Sequence, residues 1–128
     1  MRFAIFLVSV FILAACTSGL RVDSSEEAHV YEMKSFNGVV DESKLVIRDE
    51  KVIDEFISAF RAANRHRGVV DMADPDYRVD LGKDSYFLWL GESAGTVMDT
   101  ADTHTIYELP EGSAERLRVW LEEQVLDG

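Results

Sequence analysis

Five aspartates between Asp71 and Asp84 are the densest run of that residue in this 128-residue chain. Carboxylates at that density bind calcium when they follow D-x-D-x-D-G with a Glu at the twelfth place. Asp71, Asp74, Asp76, Asp80 and Asp84 do not keep that spacing, so a solvated, turn-rich loop is expected. A second acidic stretch, Asp99 to Thr103, reads as a tight turn. His29, His66 and His104 lie far apart without ligand spacing and are expected at the surface or at strand edges. No nucleophile elbow, phosphate loop or dinucleotide fingerprint occurs. The expectation is therefore a noncatalytic protein with no cofactor and no metal site. The alternative is a small envelope hydrolase or metal-dependent enzyme using the loop carboxylates, converging from distant strands.

Two further groups of residues suggest binding. Arg61, Arg65, His66 and Arg67 form a basic cluster within an acidic chain. They suit either an anionic envelope polymer or lipid headgroup, or the negative end of a helix dipole. The second group is aromatic. In Tyr86-Phe87-Leu88-Trp89-Leu90, strand alternation puts Phe87 and Trp89 on the face opposite Tyr86, Leu88 and Leu90. If helices cover only one sheet face, Phe87 and Trp89 lie on the other, beside Arg78 and Asp80. Exposed apolar patches mark binding sites, and Trp is favoured at their centres. The alternative is that the tether, a curled sheet or the Asn64 to Asp76 loop covers them.

The single cysteine excludes an internal disulfide and a cysteine zinc cluster. Its place is informative. Phe3 to Leu13 is apolar apart from Ser9, and as a helix it would span roughly 16 Å, well short of a ~30 Å hydrocarbon core. That length fits a signal peptide, with Arg2 as its positive start. The run closes in Leu13-Ala14-Ala15-Cys16, a complete bacterial lipobox. Residues 1–15 are thus expected to be cleaved, leaving Cys16 as the lipidated first residue. The implied location is the extracytoplasmic side of the cell membrane, with the lipid as membrane partner and an envelope protein as a further one. Two or more acyl chains suffice for stable anchoring. Residues 16–27 read as a polar tether and 28–128 as one domain.

Positioning these groups requires a folded core. Asp49 is a good N-cap, and Val52, Ile53, Phe56, Ile57 and Phe60 make one apolar stripe on a helix from about Glu50 to Asn64. Leu117, Trp120, Leu121 and Val125 make a second stripe, on a helix capped by Ser113. Strands are expected at His29–Phe36, Ser43–Arg48, Tyr77–Leu81, Tyr86–Leu90, Thr96–Asp99 and Thr105–Leu109, with Asn37-Gly38 turning the chain after the first. The fold class is α+β: an antiparallel sheet of about 4–5 strands with two helices packed on one face.

Acids outnumber bases 24 to 13, a formal charge of −11. Cleavage before Cys16 leaves 12 bases against the same 24 acids. Such a balance argues against nucleic acid as a partner, because phosphate contacts need clustered Lys and Arg.

The stretches FISAF (56–60), DMADPDY (71–77), YFLWL (86–90) and TIYEL (105–109) resemble small uncharacterised lipoproteins of Bacillus-type bacteria. The resemblance implies a lipid-anchored extracytoplasmic protein and supplies no activity or functional residue.

Overall fold

A computed structural model describes residues 20–66 and 72–127, with side chains described through Gln124. Cys16, Arg67, Asp71 and the side chain of Val125 lie outside the described residues. The order of elements is β1 (Ala28–Ser35), β2 (Gly38–Val39), β3 (Leu45–Ile47), α1 (Glu50–Arg61), β4 (Asn64–His66), β5 (Tyr77–Leu81), β6 (Asp84–Leu90), β7 (Gly95–Asp99), β8 (Ile106–Glu108) and α2 (Glu111–Asp127). No described helix is long and apolar enough to cross a membrane.

The α+β class and antiparallel pairing follow expectation, but among the described residues the sheet has eight strands rather than 4–5. Their order is β2-β1-β5-β6-β7-β8-β4, with β3 pairing β1 off this path. One edge of β1 pairs β5 from Ala28 to Glu32, and its other edge is shared by β3 and β2. The two strands not expected, β2 and β4, are short, with two and three residues. Two or three residues cannot display a period of two, so only their pairing reveals them.

Helix α1 begins as its cap dictates. The Asp49 carboxylate accepts from Lys51 N at 3.0 Å, satisfying one free amide of the first turn. Ile53, Phe56, Ile57, Ala59 and Phe60 face the sheet and are buried. The helix stops at Arg61, not Asn64, and Asn64-Arg65-His66 pairs with β8 instead. The open edge of β8 offers those three residues ladder hydrogen bonds in place of helical ones. Arg65 is therefore a strand residue and not part of a helix terminus. Helix α2 starts at Glu111, directly after Pro110, whose fixed φ suits a helix entry, so Ser113 lies inside the first turn and not at the cap.

Both helices lie on one sheet face. Their buried side chains (Ile53, Phe56, Ile57, Phe60, Ala114, Leu117 and Leu121) meet Ala28, Val30, Val79, Leu81, Tyr86, Leu88 and Val97 in the main core. Gly95 shows how close the approach is. A Cβ there would lie 2.8 Å from Leu109 Cδ1 and 3.0 Å from Ala114 Cβ.

The predicted tether differs from the structure at its C-terminal end. Leu20 and Val22 are only 6% and 5% exposed and belong to the main core. Two hydrogen bonds hold this segment: Tyr86 Oη donates to the Arg21 carbonyl at 3.1 Å, and Arg61 Nε donates to the Val22 carbonyl at 2.9 Å. Two apolar residues at spacing two, within a polar stretch, dock like a short strand without carrying a recognisable pattern.

Candidate functional site

The second sheet face holds a smaller apolar cluster. Phe87, Met98 and Ile106 are buried there, with Met33, Phe36, Met72 and Trp89 packed against them. Alternation along β6 sets this up as expected: Tyr86 and Leu88 enter the helix-side core while Phe87 and Trp89 turn the other way. Cross-strand pairing brings Met98 opposite Phe87 and Arg78 to its other side.

The hairpin of β1 and β2 supplies the lid of this cluster. Phe36 sits in its turn, and its ring stands edge-on to Phe87 at 5.5 Å between centroids and tilted to Trp89 at 5.9 Å. Phe87 and Trp89 complete the trio at 6.4 Å. These spacings lie within the favourable range for aromatic pairs. The segment before β5 closes the other side. Trp89 Nε1 donates to the Ala73 carbonyl at 2.9 Å, and Phe36 N donates to Asp74 Oδ1 at 3.3 Å. Phe87 is thereby buried, at 8% exposure, while Trp89 remains half-buried. Of the Asn64–Asp76 segment, the described residues Met72, Ala73 and Asp74 pack against part of this face.

Beside the trio runs an open groove of about 480 Å³, lined by Met33, Phe36, Val39, Arg78, Phe87 and Thr100 among others. Arg78 is its charged wall. Its guanidinium reaches Asp80 through Nε at 3.1 Å and Nη2 at 3.3 Å, and lies 4.4 Å from the centroid of the Tyr31 ring. Asp80 also accepts from Ser85 Oγ at 2.7 Å. The Arg78 fork is thus held flat by a carboxylate and an aromatic face, a pre-oriented cation beside an apolar floor. What this groove offers a ligand is stacking surface with a fixed polar rim.

The other predicted residues are scattered. Arg61 is exposed, with its Nε spent on the Val22 carbonyl, and Arg65 lies exposed on the edge strand β4. The acids expected on one loop serve local structure: Asp74 accepts from Phe36 N and Asp76 Oδ2 from Leu90 N at 2.9 Å, whereas Asp80 lies in β5, paired with Arg78, and Asp84 opens β6. No group of three or more potential metal ligands forms among the described residues. His29 lies 2.6 Å from Glu27 Oε1, and His66 3.4 Å from Glu108 Oε1. The His29 hydrogen bond, aided by Arg48, holds Glu27 below the usual carboxylate range. A second, more polar cleft is lined by Glu32, Asp76, Tyr77, Arg118 and Glu122. Burial, then the Glu32 charge, pushes the Tyr77 phenol up.

Sequence reasoning found Phe87, Trp89 and the neighbouring Arg78, and missed Phe36 and Met33. The available signal was Asn37-Gly38: a tight turn there folds the residue before it back over the sheet. No curated protein and no solved structure matches the chain. Its residues 25–127, nearly the whole of the domain just described, match the family model described as YhfM protein, and the chain belongs to that family.

Proposed function

We propose that the protein is a lipid-anchored, extracytoplasmic, noncatalytic domain that binds another component of the cell envelope. The anchoring half rests on Leu13-Ala14-Ala15-Cys16 directly after a short apolar run. The binding half rests on one observation above all: a half-buried Trp89 at the end of an aromatic trio, beside an open groove with a pre-oriented arginine. Tryptophan and arginine beside an apolar floor are the residue types that dominate interface energies.

Two variants test the halves separately. Cys16→Ser should abolish incorporation of a fatty-acid analogue in cells and release the protein from the membrane fraction; equal labelling of variant and parent contradicts anchoring. Trp89→Ala should remove partner crosslinks formed in intact cells while the isolated domain keeps a cooperative melt. A stable variant with unchanged crosslinks contradicts binding through this face. Phe87→Ala is the less informative change, since its burial makes unfolding the expected result.

A further inference from the structure

The buried residues Leu20 and Val22 fix how far the domain can stand from its lipid. Four residue steps separate Cys16 from Leu20, and at ~3.3–3.6 Å per step a fully extended chain covers at most about 14 Å. The point where the chain enters the fold is also fixed. Arg21 is bonded to Tyr86 and Val22 to Arg61, while a Cβ on Gly82 would meet Ser25 Oγ at 3.9 Å. Ala28 pairs with Leu81, so the start of β1 lies beside the end of β5. The chain therefore enters on the helix side, at the end of the sheet carrying the β5–β6 turn and the C-terminal turn of α1.

We infer that this end of the domain faces the lipid headgroups, and that the aromatic groove on the opposite sheet face stays open to the envelope. The inference rests on the lipid-anchoring reading above and adds an orientation to it. Covalent reach, not charge, sets the orientation, because Arg21, Arg61 and Lys83 at this end are interleaved with Asp23, Asp84 and Asp99. From Ala28 to Ser35, β1 rises about 23 Å at ~3.3 Å per residue, so the hairpin turn at Asn37 lies far from the entry point.

The lipidated full-length protein makes the test simple, since the thioether at Cys16 leaves any introduced cysteine as the sole thiol. Lys83→Cys and Asn37→Cys, both at exposed turns, carry a fluorophore on protein anchored to preformed phosphatidylglycerol–phosphatidylethanolamine vesicles. A headgroup-attached nitroxide quenches at short range. Most of the fluorescence at position 83 should be lost and little of that at 37. A long flexible Gly/Ser insert between Gly19 and Leu20 should remove the difference. Equal quenching at both positions in lipidated, vesicle-bound protein overturns the orientation alone. Protein that carries no lipid at Cys16 and stays off the vesicles overturns the anchoring reading, and the orientation with it.

Discussion

Phe56 has no measurable exposure and stands edge-on to both Phe60 and Trp120, at 6.1 and 6.3 Å. Phe56→Ala should therefore cost roughly 3–5 kcal/mol in denaturant unfolding, through lost transfer energy and the cavity left behind. A loss below about 1 kcal/mol would contradict its central place in the core. Tyr86 makes a different kind of prediction. Burial, reinforced by Asp84, Asp99 and Asp23, pushes its phenol up to about 12. The unfolded phenol ionises near ~10, so the folded state holds a proton that the unfolded one has lost between those values. Stability present below pH 10 should fall as pH rises through about 12. In a spectrophotometric titration of the four tyrosines, the latest-ionising phenol should vanish in Tyr86→Phe. A variant that keeps that late phase would show that Tyr86 is not the buried group. At this scale the sequence was informative where alternation alone decides direction, as for Phe87 and Trp89. It was silent on Phe36, whose contacts depend on how the hairpin folds back.

Helix α1 was legible because an N-cap and a five-residue apolar stripe agree, and its end was not, because the edge of β8 claims Asn64 to His66. Strands β2 and β4 were invisible for the same reason: pairing partners, not local pattern, create them. The packing of α2 on β7 predicts that Gly95→Ala destabilises by about 1–3 kcal/mol, since the added methyl meets Leu109 and the rigid Cβ of Ala114. A thermal melt at or above that of the parent would mean α2 has room to move. The N-terminal segment behaves as an element in its own right. A domain starting at Ala28 should be less stable than one starting at Leu20 by an amount of order 3 kcal/mol, from the lost burial of Leu20 and Val22. Identical denaturation midpoints would show that the segment contributes nothing to the fold.

On the scale of the whole molecule, the two sheet faces divide the work. One is closed by two helices and the docked N-terminal segment. The other carries the Phe36–Phe87–Trp89 trio and the Arg78 groove. Local pattern spoke to the α+β class, whereas the groove requires β1, β5, β6 and β7 to be side by side, which no single stretch encodes. The most direct test of the proposed role is site-specific photocrosslinking in intact cells, with the photoreactive residue at Asn37 on the groove rim or at Val119 on the outer face of α2. A discrete adduct should form from position 37, vanish when Trp89→Ala is added, and be absent from position 119. Adducts of the same pattern from both positions, or one from 37 that survives Trp89→Ala, would contradict binding through the groove.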